Sequence, residues 1–268
     1  MRLNYRNIVQ LVFVAVGLLV SVVCLGQQKP ASNPSLADLL IQLNSNQWTA
    51  RAKAFQQLST DPKTLGKVQV QEALLDLLDR ENQLIESTLR DSHGQVGVSD
   101  KYGEDYGEYV AQLGETIDSF ANWSDSRQVC IFVHESYNPE SRFAAKIAAH
   151  ASVAVPCLIQ MYSSDVGLTR AEAAPVLVQA WAKAGKQLDP SLGVKVKQII
   201  VAALHDQDEA VRSHTIGMLA KFGGQDMIPA LKQVAETDPS PEVQGHSIRK
   251  RAAKAIEAIE KRTGSPQN

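Results

Sequence analysis

The pair Cys130 and His134 comes nearest to reactive chemistry in this sequence. One helical turn separates them, a spacing at which a thiol and an imidazole can share a metal ion or act as nucleophile and base. Two ligands do not make a zinc site, no third ligand is indicated, and the apolar run Val129–Val133 favours a core cysteine.

Recognised catalytic motifs are missing from the sequence. No two histidines show the spacing of a zinc helix, and there is no Cys-x-x-Cys pair, no Gly-x-Ser-x-Gly and no phosphate-binding glycine loop. We therefore predict no catalytic residue, no metal site and no cofactor.

The segment 91–109 has the composition of a recognition surface. Tyr102, Tyr106 and Tyr109 lie among acids such as Asp105, and glycines interrupt any apolar helical face. The pattern predicts a surface loop or insertion, in which exposed tyrosines supply contact area and the acids select a basic partner or a cation. The spacing does not match a calcium loop. A flexible insertion without a partner is the alternative.

Two of the three cysteines lie in the helical part of the chain. Cys24 belongs to an N-terminal apolar segment, so an exported chain that loses this segment keeps Cys130 and Cys157. In an oxidising compartment these two either form one disulfide or remain buried free cysteines, and the sequence leaves both open.

Positive charge is concentrated near the C-terminus, at Arg249, Lys250, Arg251, Lys254, Lys261 and Arg262. Glu257 and Glu260 interrupt this cluster, and the chain as a whole carries a formal net charge of -2. Such a chain lacks the overall positive field that attracts phosphate backbones. If the chain is built from stacked helical units, its last unit also needs a polar outer face toward solvent. We interpret the cluster as a solvated cap and predict no nucleic-acid partner.

The first residues have the order of an export signal. Arg2 and Arg6 precede an apolar run from Ile8 to Leu25, and polar residues follow Gly26. This predicts a signal peptide over 1–26, a polar linker over 27–34 and a periplasmic or extracellular address. Because the run is about 18 residues long, retention as an inner-membrane anchor is the alternative, and only then would the membrane be a partner.

From Ser35 onward the apolar residues recur at helical spacing, and alternating runs are scarce. The pattern predicts an all-α fold with a helix over about Val68–Leu89. The run Val129–Val133 is ambiguous between helix and strand, and its helical neighbours favour helix.

We divide the predicted fold into a helical region at 35–139, which contains the insertion, repeats at 140–264 and a tail at 265–268.

The C-terminal half is similar to itself. Residues 155–158 and 228–231 share an apolar-Pro-x-Leu pattern and start 73 residues apart, which is two repeats of about 37 residues. Acidic turns follow these helices. The Val211-Arg212 pair is echoed by Ile248-Arg249 and more faintly by Ala50-Arg51.

In the block from Asp206 to Leu231, the order of these residues resembles the HEAT repeat family. The residues that carry the resemblance are Asp206, Asp208, Val211, Arg212, Leu219, Gly223 and Pro229. It implies an α-α superhelix, a solenoid of antiparallel helical hairpins.

Each of these residues also has a physical role. Asp206 or Asp208 caps the following helix, and Arg212 reaches an acidic turn of a neighbouring repeat. Gly223 is expected to end its helix in the left-handed conformation, and Pro229 lies in a first turn, where its missing N–H costs little.

These features predict an exported protein-interaction scaffold with a protein partner, and not an enzyme. Some HEAT-like families act as chromophore lyases or base-excision glycosylases. A glycosylase needs a basic aromatic groove and a cytoplasmic or nuclear address, which the sequence does not indicate. A lyase-type enzyme and a membrane-anchored scaffold remain the alternatives.

Overall fold

A computed structural model describes residues 34–92, 97–134, 142–241 and 247–264. Within these ranges all regular structure is helical, which confirms the all-α prediction. The predicted signal segment and the tail at 265–268 lie outside the described residues.

Helices α1 to α7 form the N-terminal region, and helices α8 to α14 form the C-terminal part. Their bounds are α1 Leu36–Gln42, α2 Trp48–Ser59, α3 Pro62–Leu65, α4 Val68–Asp91, α5 Val98–Tyr102, α6 Glu104–Asp118 and α7 Ser126–Val133. Then follow α8 Arg142–Ala149, α9 Ala151–Tyr162, α10 Gly167–Ala184, α11 Pro190–Ala203, α12 Glu209–Phe222, α13 Ile228–Thr237 and α14 Ile248–Thr263.

Local sequence explains where many of these helices begin. Ser35 and Asp38 form a reciprocal capping box at the start of α1. Asp61 and Asp189 each cap a helix whose first residue is proline, so the missing N–H falls where no intrahelical bond is made. Asp125 caps α7, where its side chain accepts from the N–H of Gln128 at 2.9 Å.

The helices form two rows. The first helices of the successive hairpins are α1, α4, α7, α9, α11 and α13, and the second helices are α2, α6, α8, α10, α12 and α14. In the C-terminal part α8, α10, α12 and α14 each pack on the next, while α4, α7, α9 and α11 are in contact along the other row. We call the exposed side of the second helices the second-helix face.

A large hydrophobic core runs through the part of the chain that the structure describes. It extends from Leu39 in α1 to Ile259 in α14 and takes in apolar side chains from both rows. A hairpin of two helices cannot bury its apolar faces alone, so stacked neighbours complete each other's core. This arrangement is the helical solenoid that the repeat pattern predicts.

The predicted loop at 91–109 is wrong for the residues that the structure describes. Helix α4 continues to Asp91, and α5 and α6 occupy most of the remainder, with residues 93–96 outside the description. Gly103 has φ 89 and lies between α5 and α6. Because glycine adopts positive φ without steric cost, this residue lets the chain turn sharply from one helix into the next. Tyr106 and Tyr109, three residues apart in α6, form a buried face of that helix.

No single described helix is long and apolar enough to cross a membrane. By length and composition only, α8 and α9 pass such a test as a pair, with a bend of 117° between Phe143–Ala149 and Ala151–Tyr162.

Candidate functional site

An arginine at the fourth helical position fixes the second helices α10 and α12 to the acidic turns that follow them. Arg170 is the fourth residue of α10, and its Nε and Nη2 donate to the two carboxylate oxygens of Asp206, each at 2.8 Å. Its Nη1 donates to the carbonyl of Ser164 at 3.0 Å. A planar guanidinium can make all these bonds at once, so it joins its own turn to the next one.

Arg212 repeats this arrangement one hairpin later. It is the fourth residue of α12, and its Nε lies 2.7 Å from Asp238 Oδ2. Its Nη1 donates to the carbonyl of Asp206 at 2.7 Å. The expected link from Arg212 to an acidic turn of a neighbouring repeat is therefore present.

These arginines lower the pKa values of their partners. Although burial acts to raise the pKa of Asp206, hydrogen bonds from Arg170 and from the backbone N–H of Asp208 outweigh it and lower the value. Burial is likewise outweighed at Asp238, whose pKa is lowered by the N–H of Ser240 and by Arg212.

The other repeat residues have separate roles. Asp208, not Asp206, caps α12, because its side chain accepts from the N–H of Ala210 at 2.8 Å. Val211 and Leu219 are buried, and Pro229 is in the first turn of α13. The prediction that Gly223 adopts the left-handed conformation was wrong.

Gly223 has φ -63, and it is needed for close packing instead. A Cβ at this position would lie 2.6 Å from the Leu219 carbonyl oxygen and 3.2 Å from Ile259 Cδ1.

The first hairpin uses the same arginine with a different partner. Arg51 is the fourth residue of α2, and its Nε and Nη2 donate to Glu81 Oε1 and Oε2 at 2.6 and 2.7 Å. Glu81 lies within α4 rather than in a turn. The two side chains are 2% and 0% exposed, so this pair is fully withdrawn from water.

Two tyrosines of α6 complete the coordination of Glu81. Tyr106 OH donates to Oε2 at 2.8 Å and Tyr109 OH donates to Oε1 at 2.9 Å, so each carboxylate oxygen accepts two hydrogen bonds. Burial, and then the negative charge of Glu81, raise the pKa values of both phenols. We call Arg51, Glu81, Tyr106 and Tyr109 the buried Glu81 network.

The expectation of exposed tyrosines is therefore wrong. Tyr106 is 0% and Tyr109 is 6% exposed, and Tyr102 is half-buried with its ring 4.8 Å from the Tyr106 ring. Of the predicted recognition residues, only Asp105 is exposed.

Aromatic rings connect the buried Glu81 network to the surface. Trp48, at the start of α2, is half-buried and lies edge-on to Tyr106 at 5.5 Å between ring centroids. It is also stacked with Tyr109 at 6.1 Å and an interplanar angle of 26°. The hydrogen bonds of Tyr106 and Tyr109 to Glu81 fix both rings, and Trp48 packs against that fixed surface.

A groove of about 380 Å³ opens beside these rings, between α2 and α6 on the second-helix face. Its lining residues are Trp48, Thr49, Ala52, Lys53, Phe55, Gln56, Asp105, Glu108, Tyr109 and Gln112. We call it the α2–α6 groove. It brings two of the predicted recognition residues, Asp105 and Tyr109, to one surface.

A second groove, of about 580 Å³, lies between α4, α7 and α9. Cys130 and Cys157 line it and are joined there as a disulfide with 5.4 Å between their Cα atoms. His134 also lines it; burial lowers the pKa of this histidine, although the charges of Glu86 and Asp79 oppose the shift. Among the described residues no group of three or more His, Cys, Asp or Glu side chains is arranged to hold a metal ion.

The C-terminal basic cluster is partly engaged with the previous repeat. Arg262 donates to the carbonyl of Ala220 at 2.7 Å and also to that of Gly223, so it caps the end of α12. Arg251 donates to Ser213, and Arg249 donates to the Asp238 carbonyl at 2.7 Å. These arginines act as inter-helix clamps within the cap.

Sequence inspection missed Glu81 and Trp48, because neither occupies a recognisable motif. It also missed a polar contact that compensates for a proline inside α10. Pro175 has no N–H for the Ala171 carbonyl, and His214 Nδ1 lies 3.4 Å from that oxygen. The signal that the sequence offers for such a partner is Pro175 itself, which leaves one carbonyl of the helix without its usual N–H.

Comparison with known proteins identifies the repeats. The family described as HEAT repeats matches residues 155–251 and, in an overlapping match, residues 197–267. No curated protein is found with significant similarity to the chain. HEAT repeats generally form protein-interaction scaffolds and are typically not enzymes.

Proposed function

Because residues 155–267 belong to the HEAT repeat family, we propose that this protein is an exported scaffold that binds a protein partner along its second-helix face. The observation that carries the proposal is the row of second helices from α8 to α14, each packed on the next over one shared core. Such a row presents an extended surface along which a partner protein can lie.

Polar and charged side chains suited to recognition lie along this face. Lys183 on α10 and Lys254 on α14 are exposed, and His214 on α12 is exposed between them. At the other end, α6 exposes Asp105 and Glu108. Opposite charges at the two ends would orient a partner as well as attract it.

Export is proposed on two grounds. The order of charges and apolar residues in 1–26 is that of a signal peptide. The Cys130–Cys157 disulfide is a feature of oxidising compartments and is rare in the cytosol. N-terminal sequencing of the protein from an envelope fraction would separate a cleaved, soluble scaffold from a membrane-anchored one.

Capture of the partner tests the scaffold function. The protein is cross-linked mildly in its own envelope fraction, and bound species are identified by mass spectrometry. We expect a reproducible protein partner that is lost from the double variant Lys183→Glu with Lys254→Glu on the second-helix face.

The matched control is Lys195→Glu with Lys232→Glu, which reverses two exposed charges on first helices α11 and α13. This control should retain the partner. Equal retention by both double variants would place binding on another surface, and turnover of a retained small molecule would favour the lyase-type enzyme.

A further inference from the structure

The α2–α6 groove has a negative rim. Asp105 and Glu108 are three residues apart on one face of α6 and both are exposed, while Lys53 is the single basic residue among those lining the groove. Gln112 Nε2 donates to Glu108 Oε1 at 3.1 Å and so holds that carboxylate over the groove. Helix α6 contains no lysine or arginine, so the local charge is acidic along its whole length.

The floor of the groove is aromatic and rigid. Trp48 is half-buried and is backed by Tyr109 and Phe55, whose rings lie 6.0 Å apart. Tyr109 is held by its hydrogen bond to Glu81, which Arg51 in turn holds through two bonds. The aromatic surface is therefore organised before any ligand arrives, which lowers the entropy lost on binding.

An aromatic floor beneath two carboxylates selects a cationic group. Lysine and arginine side chains are attracted to the faces of tryptophan and tyrosine rings, and their apolar stems can cover the ring surface. The carboxylates add charge complementarity and exclude phosphate-bearing ligands. A ligand that offers both parts is a protein segment with an arginine or lysine beside an apolar side chain.

We propose that the α2–α6 groove is a docking site for such a cationic-apolar segment of a partner protein. The proposal rests on the scaffold function and names the chemistry that one part of the second-helix face recognises. Trp48 supplies the contact surface, Asp105 and Glu108 supply the charge selection, and the buried Glu81 network is the positioning element.

A peptide titration tests the groove directly. The probes are two short acetylated peptides, one that alternates arginine with leucine and one in which glutamate replaces every arginine. Binding to the purified full-length protein is measured by calorimetry at low and at high salt. We expect binding of the arginine peptide only, weakened several-fold at high salt because exposed charges are screened.

Variants locate the binding. Asp105→Asn with Glu108→Gln should weaken the arginine peptide about tenfold, equivalent to about 1.4 kcal/mol. Glu236→Gln with Glu209→Gln removes two exposed acids from α13 and α12, outside the groove, and should leave binding unchanged. Trp48→Phe should weaken binding while thermal unfolding checks that the fold is intact.

The outcomes separate this proposal from the scaffold function. The proposal for the groove is overturned by absence of peptide binding, by equal binding of both peptides, or by an equal loss of binding in the control variant. If partner capture succeeds while the arginine peptide fails to bind, the scaffold stands and the groove falls. If the arginine peptide binds in the groove and no partner is captured, the groove keeps its preference for cationic-apolar ligands, but the scaffold function falls and with it the assignment of the groove to a partner protein. Dimer formation that the Asp105→Asn with Glu108→Gln variant abolishes, without peptide binding, would assign the groove to a second copy and also overturn the proposal.

Discussion

The first hairpin and the C-terminal repeats use an arginine at the same helical position in two different ways. In the repeats, Arg170 and Arg212 pair with aspartates of the next acidic turn. In the first hairpin, Arg51 pairs with Glu81, which lies inside the long helix α4 and receives two tyrosine hydroxyls as well. The geometric role of the arginine is conserved within the molecule while its acidic partner is replaced.

This difference has an energetic cause. An aspartate in a turn near the surface can also accept backbone N–H groups, as Asp206 does from Asp208 at 2.9 Å. A glutamate buried within a helix has no free backbone N–H nearby, so every remaining acceptor position needs a side chain. The tyrosines of α6 meet that need, and they also build the aromatic floor of the α2–α6 groove.

The largest effect is expected where the pair is most buried. Glu81→Gln leaves the Arg51 guanidinium without its countercharge and should reduce the free energy of unfolding by about 3–5 kcal/mol. The measurement is urea denaturation. Glu72→Gln, on the exposed side of the same helix, is the control and should change stability by less than about 0.5 kcal/mol. Similar losses in both variants would mean that the buried Glu81 network contributes no more to the free energy of unfolding than an exposed glutamate does.

The disulfide links α7 of the N-terminal region to α9 of the repeats. Replacing Cys130 and Cys157 together by serine opens a link with a sequence separation of 27 residues, and on the chain-entropy account this should cost about 3.5 kcal/mol. Denaturation of the oxidised protein and of the double variant measures the loss. An unchanged midpoint, with free thiols detected in the native protein, would contradict the link.

A smaller loss is expected for the turn aspartate. Asp206→Asn removes a charge-assisted pair but leaves Arg170 its bonds to the carbonyls of Ser164 and Asp165, so we expect about 1.5–3 kcal/mol. Because the pKa of Asp206 is lowered in the folded state, its contribution is present above the unfolded value of 3.8 and disappears as pH falls through the lowered one.

The variant should therefore lose the acid-side slope together with the stability. A loss at neutral pH as large as that of Glu81→Gln would remove the distinction between the two regions.

The smallest effect concerns His134, at the end of α7. Burial lowers its pKa, so the unfolded chain takes up the proton first as pH falls below 6.5, and stability is lost as pH continues downward through the folded value. His134→Gln should make the melting temperature less dependent on pH across this range. His205→Gln, at an exposed position, should not have this effect. An identical dependence of the melting temperature on pH in the parent protein and in His134→Gln would show that burial does not lower the pKa of His134.

The sequence by itself determined the helical class, the positions of many helix starts and the existence of the repeats. These features depend on local chemistry, since a cap, a proline at a first turn and a 3.6-residue apolar period involve neighbours along the chain. The link from Arg212 to an acidic turn was also predictable, because the repeat itself supplies the spacing.

Only the tertiary structure decided the rest. Glycines at 97 and 103 made the segment that holds Tyr106 resemble a loop, although they mark helix ends. The bonds from Tyr106 and Tyr109 to Glu81 join residues 25 and 28 positions apart, and Trp48 joins them from a different hairpin. Which distant polar groups meet is set by how hairpins stack to bury their apolar faces, and no local pattern encodes that choice.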